Sequence, residues 1–147
     1  MEYKTRPIES YYMTYAKRIR DLSKCAKQKV GCVIVGTDGM IIGLGNNDTE
    51  FEQNECPRDV HGMKSGEGYE LCHSVCGQSF HAEEAAIMYM GSLRAKGWNW
   101  PSNKGASAYL YGHYYCCKNC ELELEKAGVT TTYILEDADI NTDWSKL

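Results

Sequence analysis

A chain of 147 residues has room for one hydrophobic core and no second independent domain. Its 43% hydrophobic and 24% charged residues exclude wholesale disorder and fibrous repeats, and no apolar run approaches the ~20 residues of a membrane span. A balance of 16 Lys+Arg against 20 Asp+Glu, net −4, argues against adhesion to a nucleic-acid backbone and leaves a nucleotide-sized substrate open.

The first residues, Met1-Glu-Tyr-Lys-Thr-Arg6, lead into no signal-peptide core, so the reading is of a soluble, cytoplasmic chain. From Ile8 to Leu22, apolar or aromatic side chains at Ile8, Tyr11, Tyr12, Tyr15, Ile19 and Leu22 follow steps of three and four, which predicts an amphipathic helix. Val30 to Val35 is a β-branched run, Thr37-Asp-Gly a hairpin turn and Met40 to Leu44 the returning strand. From Asn46 to Gln78 no periodicity survives, and a loop of that length needs something to pin it, a metal or a ligand. Ser79 is a candidate cap for a helix running from His81 to about Lys96, ended by Gly97. Ala106 to Tyr111 reads as a third strand, Cys117 to Ala127 as a third helix stopped by Gly128, and Val129 to Leu135 as a fourth strand, before a polar tail over 136–147. This order predicts one α/β domain, its later strands parallel and joined to an N-terminal antiparallel hairpin.

Eight cysteines in a reducing compartment point to metal rather than to disulfides. His81-Ala82-Glu83 and Cys117-Lys118-Asn119-Cys120 supply three zinc donors and one carboxylate that need not bind the ion. Cysteines three apart on a first helical turn share a face, and His81 and Glu83 converge on an ion placed end-on beyond a helix start. Two helix N-termini aimed at that ion favour thiolates. Three protein donors leave a fourth position open for water, as in a catalytic site; the alternative is a purely structural Cys/His zinc knot with Glu83 on the helix surface.

His81-Ala-Glu83 with Cys117-x-x-Cys120 resembles the cytidine deaminase superfamily, whose signature is H-x-E followed by P-C-x-x-C, and most of all its phage-type deoxycytidylate deaminases. Lys29-Val-Gly-Cys-Val-Ile-Val and Ile41-Ile-Gly-Leu-Gly-Asn-Asn resemble the family's hairpin and its asparagine turn. Cys116 stands where the family has proline, and Asn46 where it has an aromatic residue. The resemblance implies a three-layer α/β/α fold and hydrolysis of dCMP to dUMP and ammonia, supplying dUMP for thymidylate synthesis. It implies that Glu83 carries protons between water, ring N3 and the leaving amine, that the Ala82 N–H holds the cytosine carbonyl, and that Asn47 binds the sugar. It also implies a homohexamer activated by dCTP, with Mg2+ beside the triphosphate, and inhibited by dTTP. Neither membrane nor nucleic acid is an expected partner. Deamination of dCTP, cytidine or tRNA adenosine, and a non-catalytic zinc module, are the alternatives.

Cys32 and Cys116 read as packed thiols. Cys25, Cys56, Cys72 and Cys76 fall at a helix end and in the long loop, where a second, structural zinc would supply order, with His61 and His73 as substitute donors. Tyr114 and Tyr115 are candidates to line the base pocket and stack on the cytosine, with a packing role as the alternative. Lys24, Lys27, Lys29, Arg58 and Lys64 are candidates for phosphate.

Overall fold

The β-branched run forms a strand, Gly31–Val35, buried along its whole length. Burial on both faces explains why its sequence is continuously apolar instead of alternating. In the computed structural model, which describes residues 1–24, 29–47, 81–97 and 104–147, this strand is β2. The elements in chain order are β1 (Glu2–Arg6), α1 (Tyr11–Asp21), β2, β3 (Ile41–Asn46), α2 (Ala82–Ala95), β4 (Ala106–Tyr111), α3 (Lys118–Lys126) and β5 (Val129–Leu135), then a 3₁₀ turn at Trp144–Lys146.

The strands make one mixed sheet in the order β1-β5-β4-β2-β3. β2 runs antiparallel to both β3 and β4, whereas β4, β5 and β1 run parallel. Side-chain alternation divides the core into two layers. Cys32 and Ile34 share one layer with Ile42, Ala108 and Leu110, covered by Ala82, Ala86 and Met90 of α2 and by Cys120 and Leu124 of α3. Val33 and Val35 share the other with Tyr109, Tyr111 and Leu135, covered by Met13 and Ala16 of α1. The architecture is therefore three-layer α/β/α, with hairpin and parallel strands as expected.

Several expectations are corrected. β1 is a fifth strand with no counterpart in the sequence reading: its residues, Glu-Tyr-Lys-Thr-Arg, are all exposed, and pairing with β5 comes from the backbone. α1 starts at Tyr11 and not at Ile8, because Pro7 to Ser10 closes a turn in which the Ser10 N–H donates to the Pro7 carbonyl at 3.1 Å. Tyr11 and Leu22, placed on its apolar face, are exposed. The segment 136–147 is anchored: Trp144 packs edge-on against Tyr111, ring centroids 5.1 Å apart.

β3 sets how close α2 approaches the sheet. A Cβ on Gly43 would stand 2.6 Å from the Ala86 carbonyl oxygen, and one on Gly45 would stand 2.5 Å from the Ala86 nitrogen. The helix backbone lies directly on these glycines, which brings its N-terminus to the end of β3.

Cys32 is fully buried, and desolvation, with Glu83 and Cys116 acting in the same sense, holds its thiol well above the ordinary value of 9.0. A thiol with a raised folded pKa keeps its proton when the unfolded chain has lost it. Stability is thus unaffected below the unfolded pKa and falls above it, by about 1.4 kcal/mol per pH unit per thiol. Urea unfolding of metal-free protein is expected to show lower stability at about pH 10 than at about pH 7, with a shallower decline in Cys32→Ala. Equal slopes in the two proteins would show that Cys32 does not govern this loss.

Candidate metal centre

Both helices that bear the motif begin with a metal donor. The chain leaves β4 through Gly112, whose φ of +105° and approach to the Lys29 carbonyl admit no side chain. It reaches Cys117, the N-cap of α3, in an extended conformation with ψ 156°. There the Cys117 sulfur accepts the Cys120 backbone N–H at 3.4 Å, taking the place of a capping oxygen. His81 is the N-cap of α2 with ψ 162°, so the helix starts at Ala82, and the capping role expected of Ser79 belongs to His81. Glu84 tightens this start by accepting the His81 backbone N–H at 3.2 Å, as a capping carboxylate.

The donors converge. His81 Nδ1 lies 3.8 Å from Cys117 Sγ and 3.4 Å from Cys120 Sγ, and all three donor atoms fall within 4.8 Å of one another. Tetrahedral coordination at usual zinc bond lengths separates a nitrogen and a sulfur donor by about 3.6 Å. The spacing and the one-nitrogen, two-sulfur donor set therefore fit zinc. Burial, and next the charge of Glu83, push the Cys120 thiol far above its ordinary range. A bound cation reverses that logic, because coordination holds the sulfur as thiolate.

Glu83 is buried at 5% exposure in the first turn of α2. It lies beside the donor cluster and is not one of the three. Desolvation raises its pKa, opposed by its own backbone N–H, by His81 and by the neighbouring Cys120 and Cys116 side chains. A carboxyl raised in this way sits nearer the proton affinity wanted in an acid-base relay.

Ala82, the first residue of α2, is buried at the same point. Asn47 is buried just beyond β3; its side-chain oxygen accepts the Val30 N–H at 2.9 Å, tying the ends of β2 and β3 together. Tyr115 packs edge-on against His113 at 4.3 Å between centroids, and Tyr114 stacks on the same ring at 5.2 Å. Cys32 and Cys116 are buried thiols, as expected. Cys25, Cys56, Cys72, Cys76, His61, His73, Lys27, Arg58 and Lys64 lie outside the described residues.

Sequence reasoning missed Tyr3 and Glu121. The Tyr3 phenol donates to the Glu121 carboxylate, in the first turn of α3, and accepts the Cys116 N–H at 3.2 Å. No periodicity marks Tyr3, because its neighbours on β1 are all polar. No helix among the described residues is long and apolar enough to cross a membrane.

Comparison with known proteins agrees with this geometry. Residues 7–136 match the profile of the cytidine and deoxycytidylate deaminase zinc-binding region. A deoxycytidylate deaminase of Schizosaccharomyces pombe is 28% identical over 125 residues, 82% of this chain and 34% of that protein. One from Saccharomyces cerevisiae is 29% identical over 127 residues, 83% of this chain and 35% of that protein. The chain thus spans about a third of the length of the curated relatives it matches. The fold is shared with the apo dCMP deaminase of cyanophage S-TIM5, at a TM-score of 0.55 and 24% identity over 86% of this chain and 82% of that one. Because the matching profile takes in His81, Glu83, Cys117 and Cys120 and runs through every element from α1 to β5, the chain belongs to the cytidine and deoxycytidylate deaminase family.

Proposed function

We propose that this chain hydrolyses dCMP to dUMP and ammonia. The observation that carries the reading is the buried Glu83 carboxylate beside a three-donor cluster, a set that leaves a fourth coordination position for water. Zinc held by His81, Cys117 and Cys120 supplies a Lewis acid that makes water nucleophilic near neutral pH. The protein's part is proton handling and orientation. Glu83 takes the proton of the attacking water, delivers it to N3 of the cytosine ring, and passes a proton to the amine as the C4–N bond breaks. The Ala82 N–H belongs to a first helical turn, whose donors have no intrahelical acceptor, and it holds the cytosine carbonyl. Asn47 binds the sugar hydroxyl and Tyr115 stacks on the base.

The choice of dCMP is supported by two relatives that are deoxycytidylate deaminases, and the choice of a free nucleotide by the net charge of −4. Ammonia release should be measured with dCMP, dCTP, CMP, deoxycytidine, single-stranded DNA and tRNA. The expected order places dCMP first. Greater turnover of either nucleic acid overturns the reading, and no release from any of them assigns a zinc-stabilised binding module instead.

Family membership supports the rest of the reading: a hexamer in the cytoplasm, activated by dCTP with Mg2+ and inhibited by dTTP. Two zinc ions per chain belong to it as well, the second held by Cys25, Cys56, Cys72 and Cys76. Substituting Cys72 or Cys76 by serine is expected to remove one zinc and lower Tm while the other ion stays. Elemental analysis giving one zinc per wild-type chain rejects the second site.

A further inference from the structure

Both sulfur donors sit on one short stretch of chain, and a single side chain from outside grips that stretch at each end. At its head the Cys116 N–H donates to the Tyr3 hydroxyl at 3.2 Å. At its far side the same hydroxyl donates to the carboxylate of Glu121, in the first turn of α3. Cys117 and Cys120 lie between these two points. The segment is also tied to itself: the Glu121 N–H donates to the Cys117 carbonyl at 2.9 Å, and the Cys120 N–H to the Cys117 sulfur at 3.4 Å.

The chemistry of a phenol suits this place. Cys116 is buried at 4% exposure and precedes the N-cap of α3, so its N–H has no acceptor within the helix and burial demands one elsewhere. A phenolic hydroxyl accepts that bond and still has a proton to give to a carboxylate. Proline, the family's residue at position 116, has no N–H to donate. The grip therefore belongs to this sequence's departure from the motif and not to the motif itself.

We infer that Tyr3 is a positioning residue for the metal centre: its hydroxyl spans Cys116 to Glu121 and holds Cys117 and Cys120 in the spacing at which their sulfurs meet His81. The inference rests on the zinc reading of that cluster and not on the choice of substrate. An ion that finds its donors already placed binds without having to order them, so losing the restraint weakens its hold. The edge strand supplies no donor and yet supports the site.

The test uses full-length protein, with Zn2+ distributed at equilibrium between the protein and a chelating dye. The ion of this centre is the one absent from Cys117→Ser. Tyr3→Phe keeps the ring and removes both bonds. It is expected to raise the Kd of that ion about tenfold at unchanged stoichiometry, the lower end of the range for groups that support metal donors. Glu121→Ala, which takes away one of the two contacts of the hydroxyl, should raise it about threefold, and Tyr3→Phe in that background should cost only about threefold more. Val35→Ala is the control for general destabilisation, because Val35 lies in the opposite layer of the core. It should lower the midpoint of urea unfolding and leave the zinc Kd within about twofold of wild type.

Amide hydrogen exchange of the zinc-loaded protein gives a second readout. The Cys116 amide proton is expected to be protected in wild type and to exchange about tenfold faster in Tyr3→Phe. Wild-type zinc affinity in Tyr3→Phe, an undiminished tenfold effect in the Glu121→Ala background, or a Val35→Ala protein that loses zinc as readily as Tyr3→Phe would overturn the inference. Equal exchange at Cys116 in wild type and Tyr3→Phe would overturn it as well. A Cys117→Ser protein that keeps every ion of the wild type overturns the zinc reading of the cluster, an outcome distinct from a bound ion that Tyr3 does not affect.

Discussion

Glu83→Gln is expected to keep its zinc and its fold while losing about 10²–10⁴-fold in kcat for dCMP, the usual worth of general acid-base catalysis by a positioned side chain. The amide matches the carboxyl in shape but cannot accept a proton from water or hand one to the ring. Its effect on the stability of the metal-free protein should run the other way. Burial raises the Glu83 pKa, so ionised carboxylate in this site is costly to the fold, and a neutral amide removes that cost. The combined signature is unchanged zinc content in the loaded protein, a Tm of the metal-free protein equal to or above wild type, and a collapse of turnover. Activity within a few-fold of wild type would transfer the proton-carrying role to another group.

Gly45→Ala should injure the same site from the opposite direction. The added Cβ would meet the Ala86 nitrogen at 2.5 Å and the Ala85 Cβ at 2.6 Å, so α2 must retreat by about 1 Å to restore ordinary contact. Overpacking of this kind costs about 1–3 kcal/mol. Because His81 caps α2 and Glu83 lies in its first turn, the retreat also moves the candidate metal donor and the proposed proton carrier together. A displacement of about 1 Å can cost about 10²-fold in rate. Gly91→Ala is the control on the same helix: no atom lies within 4 Å of its Cβ position. There the helix preference of alanine over glycine should raise stability by up to about 1 kcal/mol and leave turnover alone. Equal behaviour of the two variants would show that α2 does not rest on the β3 glycines.

Which parts of this molecule can be read from its residues follows from how each part is stabilised. β4 and β5 are found with the same bounds from sequence and from structure, because Ala106–Tyr111 and Val129–Leu135 are apolar or β-branched runs closed by Gly112 and preceded by Gly128. The donor set is equally legible, since His81, Cys117 and Cys120 are residue types that chemistry admits for few other purposes at that spacing. β1 is illegible: it contributes no apolar side chain to a layer, and its hydrogen bonds are backbone bonds that carry no sequence signature. The start of α2 is displaced because a histidine serves as N-cap, a role that propensity assigns to serine, and Ser79 lies two positions earlier. Tyr3 and Glu121 meet across almost the full length of the chain, and no local pattern announces such a pair.

The place of β1 also bears on the order in which the molecule assembles. Its partners run from Glu2↔Thr131 to Arg6↔Leu135, whereas β2 and β3 meet across a short turn. Closing so long a loop has an entropic cost that grows with the logarithm of its length, and contacts of large sequence separation slow folding. Little burial offsets that cost at β1, whose five residues are all exposed. The edge strand is accordingly the last piece to dock and the first to detach, with amide protons that exchange through a local opening well below the free energy of global unfolding. Each such opening carries the Tyr3 hydroxyl away from the head of α3, so the fluctuation of the least protected strand is felt at the helix end that presents both sulfur donors.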